Sequence, residues 1–313
     1  MVFFSAKFCS FTKIYHLMIV SFLEYLTLEK NYSNHTVIAY QNDLYAFRDF
    51  CETEIGLSQL KEVHYNHVRS FIVSLVTQGI SNRSINRKLS SLKSFYKFLL
   101  KTQQIEVSPL TNHKALKVDK KVQVPFSKSE VENVFSLLNE EEQTFTTVRD
   151  KLIVELLYST GIRKIELIGL QVSDFDAYKK TIKVLGKRNK ERIIPLLPSV
   201  FKTILLYIEL KKEIKTQEPF FLITKRGNKI YGTLVYRVIN SYFSRVSVKQ
   251  KKSPHIIRHT FATHLLNQGA NLNSVKELLG HASLASTQIY VQNSLDAVKK
   301  VYNQAHPKSR KNK

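Results

Sequence analysis

The chain has 313 residues, 43% of them hydrophobic, with 48 Lys and Arg against 25 Asp and Glu and a net charge of +23. The length favours two domains with real cores, and the charge points to an anionic polymer or surface as partner, most simply nucleic acid, though a nonspecifically basic, ribosome-like protein would share it. Cys9 and Cys51 sit in no ligand spacing, which argues against a disulfide framework or a zinc site and fits a reducing cytoplasm; no apolar run is long enough to span a membrane.

Residues 1–17 are apolar but broken by Lys7, Lys13 and His16, with no basic region ahead, so they make a poor signal peptide. They are expected to be a dispensable extension, with the start at Met1 or Met18 left open. Residues 18–30 carry a helical face of Ile19, Phe22, Leu23 and Leu26. Ser33 precedes a second helix with Val37, Tyr40, Leu44 and Phe47 on one side. A third helix is predicted over 64–76 and a fourth over 84–100, where basic and apolar residues alternate. Arg83, Arg87, Lys88 and Lys93 are the candidates there for phosphate contacts, which position a duplex without reading its bases; a merely solvated basic face is the competing reading. Residues 104–126, with two prolines and scattered lysines, read as a linker.

Ser127 or Ser129 then starts a helix with Glu130 and Glu132 in its first turn, as a helix N-terminus prefers. An apolar helix over 150–159 breaks at Thr160-Gly161 and the chain restarts through Arg163 and Glu166. These two are three apart, so Glu166 can hold the Arg163 guanidinium by a charge-assisted hydrogen bond. Strands are predicted over 171–175, 181–185 and 191–196, with Ile182, Val184, Ile193 and Leu196 as the buried side. The turn between the last two carries Lys187 and Lys190, with Arg192 just beyond. A lysine on such a turn can donate a proton to a departing oxygen; Lys190 and Arg192 compete with Lys187 for that part and are otherwise DNA contacts. Helices follow over 199–216 and 231–246, separated by a strand-loop with Lys225 and Arg226.

The stretch 253–290 concentrates the chemistry. Ser253-Pro254 reads as an N-cap followed by Pro at the first helical position. His255 and Arg258 share the first turn, at a helix end that suits a phosphate. Ile256, Ile257, Phe261, Leu265 and Leu266 would bury the rest, and Gly269 would stop it. Asn273 is expected to cap a second helix that Gly280 ends, leaving His281 on a loop ahead of Tyr290. Attack on a phosphodiester needs a nucleophile, a proton acceptor, cations for the pentavalent phosphorus and an acid for the leaving oxygen. This stretch supplies the first three.

The run His255-Ile-Ile-Arg258-His259-Thr-Phe-Ala-Thr263, then Leu278-Leu-Gly-His281 and Tyr290, resembles the C-terminal signature of the tyrosine recombinases of the phage integrase family, near the Xer-type branch. Thr160-Gly161-Ile162-Arg163 with Glu166-Leu167 resembles the box that holds that family's first catalytic arginine, although Lys164-Ile165 stands where this branch often has Ile-Ser. Lys187 matches the family's catalytic lysine.

The resemblance implies a mainly α fold with a small β-sheet. A four-helix, SAM-like core-binding domain would occupy 18–103, a catalytic domain 127–303 and a basic tail 304–313. It implies that Tyr290 forms a 3′-phosphotyrosyl link while Arg163 and Arg258 neutralise the phosphate. His255 would take the phenol proton, His281 would hydrogen-bond the phosphate and Lys187 would be the acid, with no metal, ATP or other cofactor. The implied partners are double-stranded DNA with an inverted-repeat site, a homo- or hetero-tetramer on two duplexes that includes a second Xer-type recombinase in the hetero case, and an FtsK-like translocase. Dimer resolution of chromosomes or plasmids is the expected role. A mobile-element integrase, a type IB topoisomerase and a non-catalytic DNA-binding descendant are the alternatives.

Overall fold

The computed structural model describes residues 17–57, 59–118, 123–186, 191–216 and 218–280. The chain divides into two compact units, Met1–Lys121 and Val122–Lys313.

The first unit is helical. Helix α1 spans 17–24 and widens into a π-turn over Tyr25–Glu29. It is followed by α2 (Asn34–Glu54), α3 (Tyr65–Thr77) and α4 (Asn82–Lys101). Ser33 caps α2 by accepting from Thr36 N, as a β-region Ser ahead of a helix does. Helix α4 starts earlier than the predicted 84 because Ser81 is its cap; the Ser81 hydroxyl accepts from Ser84 N at 3.4 Å. The core takes Ile19, Phe22, Leu26, Leu44 and Phe47 from the expected faces and adds Leu92, Phe95, Tyr96 and Leu99; Phe22 meets Phe95 edge-on at 5.5 Å.

The coil after α4 is strapped to this unit at least as far as residue 117. Leu110 is buried and Ile105 and Leu116 pack against the core. Asn86 grips Leu116 from both sides, donating to its carbonyl at 2.8 Å and accepting from its N–H at 2.9 Å. Asn82 donates to the Lys117 carbonyl at 2.9 Å. Side-chain amides thus satisfy backbone groups that a regular element would pair internally, so weak periodicity in this stretch did not mean freedom.

The second unit is built around α6 (Phe145–Thr160), in which every residue from Leu152 to Thr160 is buried. A helix apolar on all sides belongs in a core, and α5 (Lys128–Glu140), α8 (Pro198–Lys211), α9 (Gly232–Val246) and α10 (Pro254–Asn267) surround it. Ser127 is the cap of α5, in a reciprocal pair with Glu130. The short α7 (Lys164–Gly169) leads to an antiparallel sheet of β1 (Phe175–Asp176), β2 (Thr181–Leu185) and β3 (Glu191–Pro195), in that order.

Two predictions fail here. The stretch 171–175 is mostly a 3-10 turn, because the Asp174 carboxylate accepts from Gln171 N at 2.9 Å and curls the backbone. Ile193 faces outward at 45% exposure, whereas Ile194 is fully buried opposite Ile182. A one-residue change of register moves every side chain of a strand to the other face, so Arg192, opposite Val184, shares the inward face.

Helix α8 ends at Lys211, short of the predicted 216; the Lys211 ammonium turns onto the Phe220 and Phe221 carbonyls. The last described helix, α11, spans Leu272–Leu279. It is capped by Asn271 in place of Asn273, whose N–H donates to Asn271 Oδ1 at 2.8 Å. On α10, Leu266 is 38% exposed and does not join the core that Ile256, Ile257, Phe261 and Leu265 enter.

Candidate active site

The site forms where the ends of α6, α7, α10 and α11 meet β3. Helix α6 stops at Gly161, which adopts φ +60. That conformation favours glycine. A Cβ there would overlap the Phe261 ring and lie 2.8 Å from Leu279. The turn frees the Gly161 carbonyl, which accepts from Arg258 Nη1. It also places Arg163 at the head of α7, where Arg163 N donates to Glu166 Oε2 at 2.8 Å and Arg163 Nη1 to Glu166 Oε1 at 2.7 Å. The predicted grip of Glu166 on Arg163 is therefore present, and it uses both backbone and side chain.

A third arginine completes the cluster. Arg192 forks onto the same carboxylate, with Nη1 to Oε1 at 3.0 Å and Nη2 to Oε2 at 2.6 Å. Each oxygen of Glu166 thus receives two N–H donors. Burial pushes the Glu166 carboxyl up, but hydrogen bonds from Arg192 and Arg163 outweigh it and hold the group at about 2. Arg258 is pulled down to about 10 by burial and by the neighbouring Arg163 and Arg192, against the attraction of Glu166. It stays cationic at neutral pH. Three guanidiniums against one carboxylate leave a surplus of positive charge, the electrostatic requirement for an anion site.

The arginines also hold the end of α11. Arg192 Nε donates to the Leu278 carbonyl at 3.1 Å, Arg258 Nη2 to Leu279 at 2.6 Å and Arg163 Nη2 to Gly280 at 3.3 Å. The last carbonyls of a helix have no internal partner and carry its negative end, so cations are favoured there.

The expected residues distribute as follows. Arg163, Arg258 and Glu166 come together as described. His255 is exposed on the first turn of α10, three residues before Arg258. Ser253 holds the N-cap position of α10 without a hydroxyl cap bond. Lys187, Lys190, His281 and Tyr290 lie outside the described residues. Arg192, expected as a DNA contact, instead engages Glu166 and Leu278, with its side chain 13% exposed.

On α4, Arg83 and Lys93 are exposed. Arg87 forks onto the buried Asp43 at 2.5 and 2.8 Å, and Lys88 reaches the same carboxylate at 3.2 Å. These two bind α4 to α2, a part the reading of a basic face did not assign.

A second network escaped the sequence reading. Tyr158 on α6 meets His264 Nδ1 at 3.0 Å, and His264 Nε2 meets the Phe126 carbonyl at 2.9 Å. Thr260 Oγ1 accepts from Phe126 N at 3.0 Å. His264 follows Ile257 and Phe261 at helical spacing on α10, which was the available signal that it faces inward. Among the described residues, no group of three or more His, Cys, Asp and Glu could hold a metal ion, and no helix is long and apolar enough to cross a membrane.

Comparison with known proteins agrees in its coverage of both units. The model of the phage integrase family matches residues 125–296, and that of the phage integrase N-terminal SAM-like domain matches 19–103. The chain is 38% identical to the tyrosine recombinase XerC of Chlorobaculum parvum, over 91% of this chain and 93% of that protein. It is also 38% identical to XerC of Anoxybacillus flavithermus, over 92% and 97%. Among solved structures, the Tn1549 transposon integrase in complex with transposon right-end DNA superposes with a TM-score of 0.71 at 19% identity, over 90% of this chain and 98% of the other.

Proposed function

The chain belongs to the phage integrase family, and from that premise we propose how it works as a site-specific tyrosine recombinase of the Xer type, an enzyme that breaks and rejoins DNA. Tyr290 attacks the scissile phosphorus and forms a 3′-phosphotyrosyl link. Arg163 and Arg258 neutralise the nonbridging oxygens, each with a planar fork suited to phosphate. A free phenol has a pKa of about 10, so attack near neutrality needs a proton acceptor, and His255 beside Arg258 takes that part. His281 hydrogen-bonds the phosphate, and Lys187 protonates the departing 5′ oxygen. A 5′-hydroxyl from the partner duplex then reverses the attack. The bond energy is kept in the phosphotyrosine, so the cycle requires no nucleotide hydrolysis.

One observation carries this reading. The Arg163 and Arg258 guanidiniums converge on the Gly280 and Leu279 carbonyls, immediately ahead of His281, in a cluster with more cations than acids. A phosphate arriving there would meet guanidiniums held on two different helices, and would compete with the carbonyls that now take their donors. The exposed Arg83 and Lys93 on α4 and the net charge of +23 support sequence-independent grip on a duplex. We assign the protein to the cytoplasm, acting as a homo- or hetero-tetramer on two duplexes with inverted-repeat sites, under an FtsK-like translocase. Its role is the resolution of chromosome or plasmid dimers, which the XerC names of its relatives favour over integration of a mobile element.

A nicked suicide duplex tests the chemistry. Its sequence is taken from oligonucleotides that the protein itself selects from a random pool. Wild type becomes covalently attached and Tyr290→Phe binds without attachment. If both variants bind and neither attaches, the protein is a DNA-binding module. If wild type relaxes supercoils with no sequence preference, it is a topoisomerase.

A further inference from the structure

We infer that Arg192 is a positioning residue of the cleavage reaction, setting Glu166, and through it the Arg163 guanidinium, against the end of α11. The assignment rests on the reading of Arg163 and Arg258 as phosphate ligands.

Arg192 stands on β3, five positions beyond Lys187, and by sequence it is one more basic residue of the predicted hairpin. Its pairing opposite Val184 turns it inward. There its fork lies on Glu166 of α7, and its Nε on the Leu278 carbonyl of α11. One side chain therefore joins three elements: β3, the helix headed by Arg163, and the helix whose last residue, Leu279, is two positions ahead of His281 in sequence. The fit is close. Gly280 has φ +62, and a Cβ on it would lie 3.2 to 3.4 Å from the Arg192 side chain. The successive carbonyls Leu278, Leu279 and Gly280 go to Arg192, Arg258 and Arg163 in turn.

The consequence for Arg163 follows from the shared carboxylate. Glu166 Oε1 divides itself between Arg163 Nη1 and Arg192 Nη1, and Oε2 between Arg163 N and Arg192 Nη2. With Arg192 present, Glu166 takes a single side-chain bond from Arg163 and leaves Nη2 of that fork to the Gly280 carbonyl. Without Arg192, the buried carboxylate keeps Arg163 as its only guanidinium and can rotate to accept its fork at both oxygens. That pairing draws Arg163 off the Gly280 carbonyl and away from an incoming phosphate. Arg192 in this way keeps Glu166 from closing on the residue it supports. Lysine cannot substitute, because an ammonium offers neither the planar fork nor the separate Nε donor.

The test uses the full chain and the self-selected nicked duplex. Covalent attachment is measured in single turnover at saturating DNA, and affinity is measured separately across a salt series, for wild type, Arg192→Ala, Arg192→Lys, Glu166→Gln and the Arg192→Lys/Glu166→Gln double variant. We expect Arg192→Lys to attach about 10- to 100-fold more slowly, as small misplacements of catalytic groups do, with affinity and salt slope unchanged. The double variant should attach no more slowly than Glu166→Gln alone, since both act through one carboxylate. Arg192→Lys keeps the charge and the aliphatic stem, so circular dichroism showing a wild-type spectrum holds the test open if Arg192→Ala does not fold.

Attachment by Arg192→Lys at the wild-type rate overturns the inference. So does a salt slope for Arg192→Ala smaller by about one, the mark of a lost phosphate contact. Fully additive effects of the two substitutions overturn it as well. Absence of attachment by wild type overturns the recombinase reading itself and takes this assignment with it, an outcome distinct from a wild type that cleaves beside variants that cleave equally well.

Discussion

Replacing Glu166 by Gln removes the one carboxylate that faces Arg163 and Arg192, and its cost can be worked out from the contacts. Glu166 is 8% exposed and receives four N–H donors, two per oxygen. Glutamine keeps one acceptor oxygen and turns an amide N–H₂ toward the other pair of donors. Two bonds to a charged group are lost, and the half-buried guanidiniums lose their counter-charge, which at such sites costs about 3 kcal/mol or more. Linkage gives a similar figure: holding this carboxyl at about 2, against the ordinary 4.5, contributes about 3 kcal/mol at neutral pH.

Because the folded pKa is the depressed one, that contribution is complete above the ordinary value and fades as pH falls through it toward 2. Urea unfolding at a series of pH values, with hydrogen exchange over residues 145–169 assigning the transition to the second unit, should give a gap of about 3 kcal/mol between wild type and Glu166→Gln at pH 7, shrinking to roughly half or less by about pH 3. A gap under about 1 kcal/mol at pH 7, or one that does not change on acidification, would refute the account of Glu166 as a charge partner buried between two guanidiniums.

Three further outcomes follow from particular contacts. Gly161→Ala forces a Cβ into a left-handed turn and against Phe261 and Leu279, so the second unit should lose about 2 to 4 kcal/mol; a melting temperature equal to wild type would refute it. Asp43→Asn leaves Arg87, Lys88 and Ser91 without their common carboxylate and should cost the first unit about 2 to 3 kcal/mol, tempered because Arg87 is half exposed; an unshifted urea midpoint for α2 and α4 peptides would count against it. His264 is held neutral mainly by burial, which lowers its pKa from the ordinary 6.5, so its stabilisation is lost as pH falls through that ordinary value. His264→Gln should flatten the melting temperature of the second unit between about pH 7 and pH 5, and an unchanged slope would show that another group sets it.

Motifs with a fixed local geometry could be read from the sequence; placements decided by distant partners could not. Thr160-Gly161 with Arg163 and Glu166 formed the expected turn and ion pair because the bonds that make them span three residues or fewer. The apolar faces of α1 and α2 were legible for the same reason, their spacing being intrinsic to a helix. Strand β3 was not. Its Ile193-Ile194 pair gives alternation no preference for either face, and the choice was made by pairing with Ile182 and Val184. That single slip misassigned Arg192, since a basic residue set on the outer face reads as a surface contact. A close alternative for a cap misled in a smaller way: Asn271 and Asn273 offer the same chemistry less than a turn apart. The coil to residue 117 was read as a linker because its anchors, Asn82 and Asn86, lie about thirty positions upstream and leave no trace in local periodicity.

The surplus of positive charge invites every arginine to be counted as a nucleic-acid contact, and two of the buried acids show why that count overshoots. Asp43 and Glu166 each bind two cations at once, Arg87 with Lys88 in one unit and Arg163 with Arg192 in the other. In a chain with about half as many acids as bases, each of these two carboxylates fixes the spacing of a pair of cations. Which cations a buried acid ties down is then decided by tertiary packing, which sequence composition does not carry. Arg83 and Lys93 are exposed on α4, while Arg87 and Lys88 on the same helix are tied inward to α2. On the role proposed for it, Arg163 both holds the fold and faces DNA: 31% of its side chain is exposed while one nitrogen is held by Glu166. A guanidinium that must bind a phosphate in a fixed pose needs an anchor that leaves part of its fork open, and an acid shared with a second arginine supplies that anchor.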